Sequence, residues 1–169
     1  MREARTGWAR WLLVSAAVAA LDLATKAWVS SAFMHGETHE VTPFFNMVLM
    51  YNTGAAFSFL AEAGGWQRWF FTLVAVVISA VIVHMLRTQR ARPAVSAALS
   101  MVLGGALGNL YDRLTLGHVV DFIQLHAAGY YWPAFNVADS AISIGVGLLI
   151  WDSLRGGAGA KAAAGQEKP

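Results

Sequence analysis

The stretch "FNVADSAISIGVGLLIW", Phe135 to Trp151, contains one charged residue, Asp139, close to its start. Continued to Leu154 it gives ~20 mostly apolar positions, the length a helix needs to cross a hydrocarbon core of about 30 Å. Just upstream, "GHVVDFIQL", Gly117 to Leu125, places a second carboxylate, Asp121, directly after two valines. The fold and the chemistry both turn on why so apolar a chain sets two acids at the edge of its apolar segments.

Working outward, three further segments have the same character. They are residues 11–33, "WLLVSAAVAALDLATKAWVSSAF", residues 66–86, "WQRWFFTLVAVVISAVIVHML", and residues 93–111, "PAVSAALSMVLGGALGNLY". With residues 135–154 they predict an all-α integral membrane protein of four transmembrane helices. The first segment is expected to stay in the protein rather than be cleaved. It is long, carries Asp22 and Lys26, and lacks a clean small-x-small cleavage site. Composition agrees, because the 169 residues are 57% hydrophobic and only 13% charged, against about 25% charged in soluble domains. Mean hydropathy is +0.50. A net charge of +2, spread over short basic clusters, argues against a nucleic-acid partner. The absence of cysteine excludes disulfides, thiolate metal sites and cysteine nucleophiles.

Lys and Arg set the expected orientation. Arg2, Arg5 and Arg10 precede the first span, Arg87, Arg90 and Arg92 join the second to the third, and Arg155, Lys161 and Lys168 follow the fourth. Residues 34–65 contain no Lys or Arg, and residues 112–134 contain only Arg113. Both termini are therefore expected in the cytoplasm and both long loops outside. Tryptophans 8, 11, 28, 66, 69, 132 and 151 fall near span ends, as interfacial aromatics do. In the first outer loop, "HEVTPFFNMVLMYNTGAAF", His39 to Phe57, reads as a small β element. "FSFLAEAGGWQRWFF", Phe57 to Phe71, reads as a short interfacial helix. One domain is expected over residues 1–154, with a disordered cytoplasmic tail over 155–169.

Polar residues inside spans are costly and are usually paired or functional. Asp22 and Lys26 share a helix face as a self-neutralising pair. In "GGALGNLYDR", Gly104 to Arg113, the glycines suit close helix packing. Asn109 and Arg113 are four apart and can face one site, although Asp112 and Arg113 could equally be a solvated helix end. Asn52 reads as a turn residue and Asn136 as a helix cap. Capping is an equal alternative for Asp139. As a pair, Asp121 and Asp139 sit at similar depth on the outer side. Two nearby carboxylates share a proton, which supplies one base and one acid at the same pH, the arrangement for peptide hydrolysis by general acid–base catalysis. The five histidines show no metal-binding spacing, and neither a nucleophile elbow nor a phosphate loop is present. On composition alone an ion-coupled carrier or a membrane scaffold stays equally open.

Five segments together resemble signal peptidase II, the bacterial lipoprotein signal peptidase family. They are "DLATK" at Asp22, "NTGAAF" at Asn52, "GGALGNLYDR" at Gly104, "VVDF" at Val119 and "FNVADS" at Phe135. The resemblance covers residues 22–140, with the motifs in the family's order. It implies a metal-free, cofactor-free aspartic endopeptidase of the cytoplasmic (inner) membrane, with membrane lipids alongside; nothing in the sequence requires more than a monomer. Its implied substrates are prolipoproteins whose lipobox cysteine carries diacylglycerol, cut just before that cysteine. It implies Asp121 and Asp139 as the catalytic dyad, and Asn52, Asn109, Arg113 and Asn136 as residues that hold substrate and aspartates. Asp22 and Lys26 would be a structural pair.

Overall fold

A computed structural model describes residues 7–54, 65–88 and 92–165, with side chains described as far as residue 155. In chain order the elements are α1 (Ala9–Ala32), β1 (Thr38–Thr42), β2 (Phe45–Asn52) and α2 (Trp66–Thr88). Then come α3 (Pro93–Thr115), β3 (Val119–Ala127), β4 (Tyr130–Tyr131) and α4 (Val137–Gly165). All four helices contain stretches long and apolar enough to cross a membrane.

The third helix is the hub. In its apolar window 61% of residues are buried, against 11–22% in the other three, so α1, α2 and α4 surround it and turn their outer faces to lipid. Its Ala, Ser and Gly content is what allows this, since small side chains let neighbouring backbones approach. A Cβ added at Gly108 would lie 2.5 Å from Asp22 Oδ2 on α1, and one at Gly105 would collide with the Ala138 carbonyl on α4. Ile82, Leu86, Val95, Leu99, Val102 and Leu103 form an apolar cluster between α2 and α3.

The strands form one antiparallel sheet in the order β1-β2-β3-β4, at the end of the bundle where α1 leaves and α4 begins. Val29, Leu49, Val120 and Phe122 pack it onto the helices. The β1–β2 hairpin lies where a β element was expected. Strand β3 was not expected: residues 119–127 read as loop because the first four are buried on both faces, so apolar and polar residues do not alternate there. Residues 55–64, most of the expected interfacial helix, lie outside the described residues, while Trp66 to Phe71 belong to α2. Two further boundaries differ. Helix α3 runs to Thr115 because Asp112 is buried rather than solvated. The backbone of α4 stays helical to Gly165, past the expected boundary at 154 into the tail read as disordered. The alanines of that segment are the strongest helix formers.

Candidate active site beneath the sheet

The site is built where α4 begins. Asn136 precedes the helix, and its Oδ1 accepts the Asp139 backbone N–H at 2.9 Å. In return Asp139 Oδ2 accepts the Asn136 backbone N–H at 3.3 Å. This reciprocal cap uses one side-chain atom of each residue, leaving Asn136 Nδ2 and Asp139 Oδ1 for other partners. Strand β3 supplies the first of them. The Phe122 and Ile123 N–H groups both donate to the Phe135 carbonyl, at 3.0 and 2.8 Å, and the Phe135 N–H donates back to Ile123. The segment entering α4 is thereby held along β3, which brings Asn136 beside Asp121.

Asn136 Nδ2 donates to Asp121 Oδ1 at 2.7 Å and lies 3.2 Å from both the Val120 carbonyl and Asn109 Oδ1. Asn109, on α3, donates through Nδ2 to Asp139 Oδ1 at 2.7 Å. One asparagine therefore contacts both carboxylates, and a second ties one of them to the central helix. Asn52 completes the ring from the end of β2. Its Oδ1 accepts the Gly54 N–H at 2.8 Å, forming a local turn. That fixes its Nδ2 on Asp121 Oδ2 at 3.0 Å. Gly54 has φ +112°, and a Cβ there would meet Phe71 at 2.7 Å, so the turn has no room for a side chain.

Behind this ring lies a buried ionic cluster. Lys26 Nζ is 2.7 Å from Asp22 Oδ2, 2.8 Å from Asp112 Oδ2 and 2.9 Å from Asn109 Oδ1, which gives its three N–H groups three acceptors. Asp22 Oδ1 accepts the Ala138 N–H in the first turn of α4 at 2.8 Å, and Asp112 Oδ2 accepts the Val120 N–H at 3.2 Å. The cluster joins α1, α3, α4 and β3 directly beneath the two candidate acids.

The two acids have different surroundings. Asp121 is 2% exposed. Burial pushes its carboxyl up to about 7, and the nearby Asp139 charge adds to the rise against the hydrogen bonds from Asn52 and Asn136 and the charge of Lys26. Asp139 is half-buried and lines an open cavity of about 370 Å³ with Trp132, Phe135, Ser140, Ser143 and Ile144. One carboxyl is thus disposed to hold a proton inside the protein, while the other faces a space that substrate and water can enter.

A family model described as signal peptidase (SPase) II matches residues 14–155. The chain belongs to the signal peptidase II family. It is similar to the lipoprotein signal peptidase of Cellvibrio japonicus, with 57% identity over 143 residues and 84% of each chain covered. It is also similar to that of an Azoarcus species, with 52% identity over 159 residues, covering 94% of this chain and 90% of the relative. Two solved structures, each described as a bacterial membrane enzyme, superpose with TM-scores of 0.78. They are 33% and 32% identical and cover 87% and 91% of this chain, and 88% and 97% of their own. The protein is a membrane peptidase of this family.

Within the signal peptidase II fold, seven of the eight residues singled out from sequence are joined through their side chains in one hydrogen-bond and ion-pair network. They are Asp22, Lys26, Asn52, Asn109, Asp121, Asn136 and Asp139. Arg113 stands slightly apart. It donates to the Asn109 carbonyl at 3.2 Å and stacks 5.4 Å over the Phe71 ring. Among the described residues it makes no hydrogen bond to either acid, although its charge acts on both. Sequence reasoning missed Asp112, whose burial at 2% exposure rules out a solvated helix end. Its position four residues after Gly108, in register with the "DLATK" pair on α1, was the available signal.

Proposed function

We propose that the protein is an aspartic endopeptidase that removes signal peptides from diacylglyceryl-modified prolipoproteins, cutting before the lipid-bearing lipobox cysteine. The observation that carries this reading is Asn136, which bonds Asp121 and caps the turn that holds Asp139. In this reading Asp121, buried and raised to about 7, is the acid that supplies the proton, and Asp139, which lines the cavity, is the base.

Asp139 takes a proton from water, and the hydroxide equivalent attacks the carbonyl carbon preceding the cysteine. Asp121 gives its proton to the carbonyl oxygen, forming a tetrahedral diol. Collapse of the diol breaks the C–N bond: one diol hydroxyl returns its proton to Asp121 as the new carboxyl forms, and the cysteine nitrogen leaves with the proton that Asp139 had taken, which restores both acids. Asn52 and Asn109 hold the acids in place. Arg113, whose charge acts on both acids, is the residue left to hold a substrate carbonyl. Lys and Arg placement puts both termini in the cytoplasm and the sheet outside, so the acids lie at the depth where a signal helix leaves the membrane. The proposed enzyme is a monomer of the bacterial inner membrane, surrounded by lipid.

The test is cleavage of a diacylglyceryl-modified prolipoprotein by purified protein in detergent. Wild type, Asp121→Asn and Asp139→Asn are compared, with EDTA in a parallel set and folding checked by thermal unfolding. The reading requires wild-type cleavage that survives EDTA and drops by at least about 10³-fold in each folded variant, the loss expected when one member of a cooperating catalytic unit is removed. Cleavage persisting in either variant would assign the chemistry to other groups.

A further inference from the structure

At the end of the bundle remote from the sheet, an open groove of about 460 Å³ runs between α1, α2 and α3. It is lined by Leu12, Ala80, Val83, Leu103 and Leu107, with Ser79, His84 and Arg87. Ala80, Val83, His84 and Arg87 follow the 3, 4, 7 spacing of one helix face, so the polar groups continue the apolar floor along a single stripe of α2. Three features of this stripe bear on what it could hold. His84 sits a full turn inside the end of α2, yet its side chain is exposed where the bundle meets lipid. The Ser79 hydroxyl is buried with no hydrogen-bond partner. Arg87 has no carboxylate within ion-pair range among the described residues, and its guanidinium is held 4.7 Å over the Trp8 ring on the neighbouring chain segment. Of the other three arginines at this end with described side chains, Arg92 is paired with Asp152 at 2.7 Å, while Arg10 and Arg155 lie against Trp11 and Trp151; only Arg87 lines the groove.

An ionisable side chain inside a span, as His84 is, points to a site, and Arg87 in the last turn of the same helix lies at the depth of the headgroups. Here a guanidinium with no ion-pair partner among the described residues and an imidazole line the same groove as five apolar side chains. That matches one class of ligand, a molecule with an anionic phosphate head and an acyl chain. Basic pockets between transmembrane helices bind anionic headgroups in the same way. We propose that this groove is a binding site for one anionic glycerophospholipid of the leaflet remote from the sheet. Its phosphodiester is held by Arg87 and His84, and one acyl chain lies over Ala80, Val83, Leu103 and Leu107. The site shares no residue with the carboxylate ring and does not depend on the peptidase reading.

The experiment is native mass spectrometry of the full chain in a charge-neutral detergent, titrated with dioleoylphosphatidylglycerol, dioleoylphosphatidylcholine or inorganic phosphate. Wild type should bind one phosphatidylglycerol in preference to phosphatidylcholine. Arg87→Gln should weaken that binding about fivefold, the effect of one cation at a membrane surface. Arg87→Lys should recover most of it. Arg155→Gln, an equal change in net charge at the same end, should leave it unchanged. Ala80→Phe, which keeps every charge and fills the groove, should weaken binding as much as Arg87→Gln does. The proposal is overturned if Arg155→Gln weakens binding as much as Arg87→Gln, or if Ala80→Phe has no effect. It is also overturned if phosphatidylcholine binds as well, or if inorganic phosphate alone competes fully. A variant counts only if its unfolding midpoint in detergent stays near that of wild type; if Arg87→Gln fails that check, the Ala80→Phe and Arg155→Gln comparison decides.

Discussion

Asn136 is fully buried and holds three jobs: it caps α4, contacts Asp121 and, through the cap, orients Asp139. Asn136→Ala removes the cap, worth about 1 kcal/mol, and leaves buried polar groups unpaired at about 1–3 kcal/mol. A loss of roughly 2–4 kcal/mol in unfolding free energy is expected, together with a fall in kcat, and thermal unfolding beside a cleavage assay reads both. Asp121 gives a prediction with a definite sign. Its folded-state pKa lies above the unfolded value of 3.8, so the native protein binds more protons between about pH 4 and pH 7. Stability therefore falls as pH rises through that window. Asp121→Asn removes this dependence. At pH 8 the variant should be more stable than wild type by at most roughly 4 kcal/mol, and at pH 4 the two should be nearly equal. Unfolding midpoints that track each other at both pH values would contradict the buried, proton-holding role of Asp121.

At the scale of elements, α3 accepts its neighbours through particular atoms. Gly108→Ala places a methyl group 2.5 Å from Asp22 Oδ2. It should cost about 1–3 kcal/mol, as overpacking does. Gly147 on α4 has nothing within 4 Å of an added Cβ, so Gly147→Ala should be neutral or slightly stabilising through helix propensity. Paired melting curves in detergent separate the two. Lys26→Met strands Asp22 and Asp112 as uncompensated buried acids and should cost about 3–5 kcal/mol. The helices were readable in the sequence because span length and apolarity are properties of single segments. The pairing of β2 with β3 was not, because Tyr51 meets Val120 and Asn52 meets Val119 across 67 or more positions of chain, and no local pattern encodes that register. Asn52 shows the consequence. In its own segment it is only a turn residue, and it becomes part of the site when β3 brings Asp121 to it. Asp112 was underread for a similar reason, since its partners Lys26 and Val120 lie on two other elements.

For the whole molecule, the proposed topology has four spans, with the start of α1 and the end of α4 on one side of the membrane and the sheet on the other. The chain has no cysteine, so single introduced thiols report sidedness cleanly. In intact cells a membrane-impermeant maleimide should label Thr38→Cys in the sheet, and should label Thr88→Cys, at the far end of α2, only after lysis. The reverse pattern would invert the proposed topology and place the acids on the cytoplasmic face. Asp139 lies in the first turn of α4 and Asp121 in a strand laid across that helix start, so in the proposed topology a peptide leaving the bilayer would meet both. The most direct test of this account is the pH dependence of kcat/KM for cleavage of a lipidated prolipoprotein, which reports the essential acid and base of the free enzyme. If Asp121 carries the working proton, the rate must fall with an alkaline limb centred near pH 7, because deprotonation there removes the acid. A rate that stays level or rises from pH 6 to pH 9 would contradict a proton shared between Asp121 and Asp139.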